Sequence, residues 1–517
     1  MIKTVIKKGA YFDSVSLMQV AKKLNSVPGV LDSAVVMATK ENKGIIKASG
    51  LLTPEILKAG DSDLAIAVSA KTPAAAEAAF KAADELLNRK PAQPSGGADR
   101  KAAGLDDAFK SLEGANLAVI SVAGRFAGAL AADCLEKGLN VMLFSDNIPV
   151  ETEVALKKAA VKKGLLVMGP DCGTAIINGA PIAFANSVRR GNIGVVAAAG
   201  TGLQEVTTLI SNEGAGISQA VGTGGRDVKA EVGGLTFIQA LKLLAADPST
   251  DVVLLVSKPP AAEVLKKIMT EVKRIKKPVV AVFIGGEIKE KIKEDFYPAK
   301  TLEEAAYKAA CLGKGWKITK AREIIYDLNL RAEELAKKEA AKKKKSRCLR
   351  GLFTGGTYVG EAQVILPDLI GEVKSNAPLD KRLKLKNSME LSGHAVIDLG
   401  EDEFTVGRPH PMIDFSLRNK LIVSEAKKPE VSVLLLDLVL GYGANLKPLE
   451  EILPPITEAF LRNRELSIVA SVTGTETDPQ GRSKVVKALE AAGVLVMSSN
   501  AGACRLAGEI VRLGGKK

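Results

Sequence analysis

What most constrains this chain is a series of near-continuous Val/Ile/Leu runs, each closing in a Gly-rich turn and handing over to a helical pattern of about a dozen residues. Between residues 115 and 312 the runs are "NLAVISVAG", "LNVMLFSD", "GLLVMGPD", "GNIGVVAAAG", "ISQAVGTGG", "DVVLLVSKPP" and "PVVAVFIGG". A strand apolar on both faces needs cover on both, which parallel sheets flanked by helices provide. The pattern predicts an α/β protein built from several doubly wound parallel sheets, with one break near "PIAFANSVRRGN" (181–192). A further unit of the same kind follows over 348–517, with "CLRGLFTGGTYVGEAQVIL", "HAVIDLG", "VSVLLLDLVLGYG", "LSIVASVTGTETDPQGRS" and "AGVLVMSSN". Residues 1–95 read as a small N-terminal α/β module closed by the linker-like "NRKPAQPSGGADRK". Domains are expected over 105–190, 191–315 and 348–517, with a basic helical connector over 316–347.

Composition removes several function classes. The net charge of +13 invites nucleic acid, but much of the excess sits in "LAKKEAAKKKKSR" (335–347), a solvated helix and linker, and aromatics for base stacking are only 4%. No nucleic-acid partner is expected. No run approaches the roughly 18 apolar residues of a membrane span, and the N-terminus lacks a signal-peptide pattern; the expectation is a cytoplasmic protein with no membrane partner. Five cysteines without a C-x-x-C pair argue against a disulfide framework, and two histidines leave no basis for a metal site.

Two turns point to anions. "IGVVAAAGTGLQEVTTLISNEG" (193–214) runs from a strand through Gly200, Thr201 and Gly202 into a helix, and "LRGLFTGGTYVGEAQVIL" (349–366) repeats the design with Thr354, Gly355, Gly356 and Thr357. A helix N-terminus offers unpaired N–H groups and a partial positive charge, and glycine lets a phosphate or carboxylate approach. Glycine at such turns also serves backbone geometry alone. Neither turn is a Walker A motif, because the Gly-Lys-Ser/Thr ending is missing. The occurrence of two, in different domains, predicts that they face each other across one site.

The order of elements resembles the succinyl-CoA synthetase superfamily over essentially the whole length, and most closely the FdrA family. "LLVMGPDCGT" is similar to the superfamily's GPNC turn, "NIGVVAAAGTGLQEV" to the α-subunit strand and phosphate-facing helix, and "LFTGGTYVGEAQ" to the matching β-subunit helix. "FDSVSLM", "GPDCGT", "GGRDV", "VGRPHPMID" and "VTGTETDPQGRS" point to FdrA itself. The resemblance implies Rossmann-like and flavodoxin-like domains: a CoA-binding-like domain over 105–190, an α-subunit-like domain over 191–315 and a β-subunit-like ligase domain over 348–517. It also implies association with oxamate carbamoyltransferase of allantoin breakdown, which joins carbamoyl phosphate to a small anion. Other subunits of a hetero-oligomer, or a close homodimer, are then the expected partners.

The chain departs from the superfamily where phosphate is relayed. Those enzymes use a histidine shortly after the strand that "PVVAVFIGG" resembles, whereas here "EIKEKIKEDFYPAKTLEEAAYKA" follows without one. They also carry a glutamate after the preceding strand, where "LLVSKPP" places Lys258. A cationic site without a phosphoryl acceptor fits carbamoyl transfer. The alternatives are an acyl-CoA synthetase whose partner supplies the missing parts and a non-catalytic CoA- or anion-binding scaffold. Carbamoyl phosphate or phosphate is the expected ligand, with CoA as a further candidate and no cofactor assigned.

The expected catalytic residues are Lys258, Arg408 as a bidentate clamp and His410 as general acid/base, the last two in the "VGRPHPMID" loop that the resemblance brings toward the helix starts. Arg226 in "GGRDV" and Thr475 and Arg482 in "TGTETDPQGRS" are further candidates for anion contact. The competing reading of Arg226 is an ion pair with Asp227, and of Thr475 a helix or turn cap. His394 and Cys172 read as structural.

Overall fold

One strand sets the layout of the N-terminal region. Leu64–Ala70 runs antiparallel between Ile2–Lys7 and Val30–Met37. Its Leu64, Ile66, Val68 and Ala70 enter one core with Leu17, Leu24 and Ala76, while Ala65 and Ala67 enter a second with Ile46, Leu51 and Ile56. Alternate side chains point to opposite faces, so this strand needs a layer on each side. Helices Ser14–Asn25 and Pro73–Leu87 supply the first, Lys40–Ala48 and Pro54–Lys58 the second. Helix Pro73–Leu87 starts where its sequence says it should, with Thr72 accepting from the Ala75 N–H and proline in the first turn.

The computed structural model describes residues 1–10, 12, 14–88, 102, 104–288, 292–342, 348–405 and 409–514. It divides into two units, Met1–Ala103 with Asp402–His410, and Gly104–Glu401 with Pro411–Lys517.

The larger unit contains three sheets. Leu117–Ile120, Asn140–Leu143 and Val167–Met168 form a short parallel one. The second has seven strands, in the order Phe296–Ala299, Val279–Phe283, Val252–Ser257, Arg190–Ala197, Ile217–Gly222, Thr174–Ile177, Ala180–Ala183. All pairings in it are parallel except those of the last two strands. That terminal hairpin turns at Asn178 and Gly179, both at positive φ (50° and 84°), as a two-residue Asn-Gly turn requires. The division between sheets therefore falls between Met168 and Thr174, ahead of the break expected at 181–192. The third sheet has six strands, all parallel, in the order Val373–Ser375, His394–Asp398, Cys348–Phe353, Val431–Val439, Ser467–Thr473, Leu495–Met497.

Both large sheets are doubly wound, and each reverses its winding at its first long parallel strand. Arg190–Ala197 lies between Val252–Ser257 and Ile217–Gly222, and Cys348–Phe353 lies between His394–Asp398 and Val431–Val439. Ligands in such sheets collect outside the carboxyl ends of the strands at this reversal. Buried residues of both sheets, among them Val195 and Val433, share one core with residues of the covering helices such as Leu203, Tyr358 and Ala503. The connector forms helix Thr319–Ala341, whose Ala332 and Ala336 enter the same core.

Candidate anion site at two helix starts

The two reversal strands lead directly into the two helices singled out from the sequence. Helix Gly200–Asn212 follows Arg190–Ala197, and helix Gly356–Ile365 follows Cys348–Phe353. Neither has a side-chain cap, since Ala199 and Gly355 stand at the N-cap positions. Their leading N–H groups are thus left for another acceptor.

These helix starts abut. A Cβ built on Gly355 would stand 2.7 Å from Thr201 Oγ1, and one on Gly202 would stand 2.9 Å from Thr357 Cγ2. Each glycine admits the threonine of the opposite helix, which explains why small residues are required. Lys258, at the carboxyl end of Val252–Ser257, completes the arrangement: a Cβ on Gly356 would lie 3.2 Å from its Nζ. Two helix dipoles and an ammonium group are directed at one place, an arrangement suited to a phosphate or carboxylate.

Asp398 was not anticipated. It ends strand His394–Asp398, and its Oδ2 lies 2.5 Å from that same Gly356 Cβ position. Its backbone is locked by Asn376, which accepts from the Asp398 N–H at 2.9 Å and donates to its carbonyl at 2.9 Å. Oδ1 accepts from the Gly400 N–H at 2.8 Å. Burial, reinforced by Glu401 and opposed by Lys258, pushes the carboxyl up to about 7. The only signal in the sequence was an acidic residue closing the apolar run "HAVIDLG" at the carboxyl end of a strand.

Other candidates have different tasks. Thr354, expected to offer its hydroxyl to an anion, gives both its N–H (2.9 Å) and its hydroxyl to the buried Asp437, whose carbonyl accepts from Arg418 Nη1 at 2.7 Å. It anchors the second helix start from below. Arg226 donates to the Ile148 carbonyl at 2.8 Å and pairs with Glu153 at 3.0 Å. Asp227 binds Lys157 at 2.7 Å and caps helix Leu235–Ala246 through the N–H groups of Thr236 and Phe237. These neighbours therefore pair with others and not with each other. Thr475 donates to the Ser187 carbonyl at 2.6 Å, and Arg482 Nε to that of Val472 at 3.2 Å. The first bond joins two loops, and the second ties the start of helix Arg482–Ala491 back to strand Ser467–Thr473.

His394 Nδ1 accepts from the Leu349 N–H at 3.2 Å, a structural bond. Burial pushes the Cys172 thiol up to about 12, which leaves it inert. Arg408 lies outside the described residues. His410 belongs to the N-terminal unit, and burial pushes its imidazole down to about 4. The ring stays neutral through the physiological range instead of titrating near neutrality. Among the described residues no cluster of three or more His, Cys, Asp or Glu is placed to hold a metal ion. None of their helices is long and apolar enough to cross a membrane.

Comparison with known proteins puts the CoA-binding match on the seven-stranded sheet and not on the 105–190 expected for it. Residues 1–103 match the family described as AllF, heavy metal-associated domain; residues 188–285 match CoA binding domain, and 352–510 match CoA-ligase. "Uncharacterized protein YahF" of Escherichia coli (strain K12) is 42% identical over 515 residues, covering 99% of this chain and 98% of that protein. The succinate–CoA ligase [ADP-forming] subunit alpha 1 of Archaeoglobus fulgidus is 31% identical over 33% of this chain and 58% of its own length. The ADP-forming sulfoacetate-CoA ligase subunit SauD of Bilophila wadsworthia is 28% identical over 33% of this chain and 60% of its own length. With a relative matched end to end, a CoA binding domain match in the seven-stranded sheet and a CoA-ligase match in the six-stranded one, the chain belongs to the FdrA family of succinyl-CoA synthetase-like proteins.

Proposed function

We propose that the two helix starts and Lys258 bind the phosphate of carbamoyl phosphate, and that the chain is a subunit of a carbamoyltransferase acting on a small carboxylate or amide of the oxamate type. The observation that carries this reading is the convergence of two uncapped helix starts on a lysine, in a chain that has no histidine between residues 279 and 312, where the superfamily's relay histidine would follow its strand. In a relay ligase this pocket would have to present a phosphoryl acceptor. The helix starts and Lys258 are groups that stabilise a phosphate as it departs, and such preorganised donors usually supply the largest share of catalysis. Holding the acceptor beside the carbamoyl carbon would supply much of the rest.

The second reading, an acyl-CoA ligase, is favoured by the CoA-binding and CoA-ligase matches. The two separate by experiment. Calorimetry should detect phosphate and carbamoyl phosphate binding to the purified chain, with Lys258→Ala lowering affinity by about 10- to 150-fold, the range for a lost charged hydrogen bond. Incubation with labelled ATP, or with phosphate and an acyl-CoA, should leave no acid-labile phosphate on the protein. A phosphoenzyme would overturn carbamoyl transfer in favour of the ligase, and unchanged affinity in the lysine variant would remove this pocket as the phosphate site.

A further inference from the structure

Asp398 sits oddly in a pocket otherwise built for anions. A carboxylate there would repel the phosphate that the helix starts and Lys258 attract. Yet Asp398 is only 4% exposed, and Oδ2, the oxygen beside the helix start, takes part in no hydrogen bond, since Gly400 binds Oδ1 alone. Among the described residues no donor reaches it. Asn376 is occupied with the Asp398 main chain. Asp437, on strand Val431–Val439, is bound to Thr354 and Arg418. Glu401 adds further negative charge, and Lys258 is the cation that faces it. Oδ2 thus keeps its bonding capacity for a ligand that reaches the helix start.

We infer that Asp398 is a proton-carrying donor of the anion site: Oδ2 is protonated when an anion occupies the helix starts and donates its hydrogen to an anion oxygen. The inference deepens the reading of this pocket as an anion site and rests on it. It gives the cleft a specificity that helix dipoles alone lack. A neutral carboxyl group donates one directed hydrogen bond, while an ionised one rejects the ligand, so occupancy and proton uptake are a single event. Burial has already brought this carboxyl to about 7, and a bound anion moves it in the same direction by like-charge repulsion.

Sulfate is the probe of choice, because it does not titrate between pH 6 and 9 and phosphate does. In wild-type protein, sulfate should bind more tightly at pH 6 than at pH 8.5. Above neutrality affinity should fall toward tenfold per pH unit, the limit for one linked proton. Calorimetry in buffers of different ionisation enthalpy should report uptake of up to one proton per sulfate. Asp398→Asn keeps an acceptor for the Gly400 N–H and supplies a permanent N–H donor beside Gly356. It should bind sulfate with an affinity flat across this range and with no proton uptake. Wild-type binding that is flat with pH, or a pH dependence that survives in Asp398→Asn, would overturn the inference and leave the anion site standing. Failure of sulfate and phosphate to bind wild-type protein at any pH would instead remove the anion site itself, and this inference with it.

Discussion

At Gly355 the demand for glycine comes from a neighbour and not from its own backbone. Its φ of −156° suits any residue, but an added Cβ would press on buried Thr201 of the facing helix. Gly355→Ala is therefore expected to destabilise the protein by about 1–3 kcal/mol, the usual cost of overpacking, and to weaken phosphate binding by prising the helix starts apart. Gly200→Ala is the control, since its Cβ would meet only Thr174 Oγ1, at 3.7 Å. Urea unfolding and calorimetry of both variants check this, and equal behaviour would mean that the close approach is not needed. Glycine-rich turns are legible in sequence, and both were read as anion-seeking. What sequence could not show is which side chain occupies the space each glycine leaves. For the same reason Thr354 and Thr357 looked equivalent, although one is committed to Asp437 and the other faces Gly202.

The helices themselves are held in register by a buried polar knot between them. Glu205, on the first helix, accepts from the Thr473 hydroxyl at 2.5 Å, from the Asn500 N–H at 2.8 Å and from Tyr358 Oη at 3.4 Å. Tyr358 lies on the second helix and also shares a 2.7 Å bond with Thr473. Burial raises the carboxyl of Glu205 and the phenol of Tyr358, with the bonds to Thr473 opposing both shifts. Tyr358→Phe should cost about 1–3 kcal/mol, because it leaves buried partners short of a bond while keeping the ring. If the knot positions the site, phosphate affinity should fall in the same variant although the Tyr358 hydroxyl is committed to Glu205 and Thr473. A loss of stability with wild-type affinity would assign the tyrosine to packing alone. The 3.6-residue periodicity and the strand runs made these elements recognisable one by one. The knot was invisible because its members come from separate elements, and each, taken alone, reads as an ordinary polar position in a helix or at a strand end.

At the scale of the larger unit, the two large sheets form a single body with one shared core, although the succinate–CoA ligase alpha subunit of Archaeoglobus fulgidus matches only 33% of the chain. A second seam residue shows how tightly the halves are joined. Glu361 is fully buried on the second helix, where it accepts from the Leu302 N–H at 2.7 Å and from Asn500 Nδ2 at 2.8 Å. It thus ties helix Leu302–Gly313 of the α-like half to helix Asn500–Gly514 of the β-like half. Burial, with Glu205 and Glu303 adding to it, pushes Glu361 up to about 8 from an ordinary 4.5. A group raised on folding binds more protons in the folded state. Its contribution to stability is complete below pH 4.5 and is lost as pH rises through about 8. Glu361→Gln removes the titration and keeps an acceptor for Leu302. Its new N–H group can meet Asn500 Oδ1, which has no partner now, once the asparagine amide turns over. Urea midpoints measured from pH 5 to pH 9 should therefore fall less steeply in Glu361→Gln than in wild type, with the variant gaining most at the alkaline end. Asp398→Asn run alongside separates the titration at the anion site from that at the seam. Parallel pH curves for wild type and Glu361→Gln would show that the seam carboxyl is not the group whose ionisation loosens the fused halves.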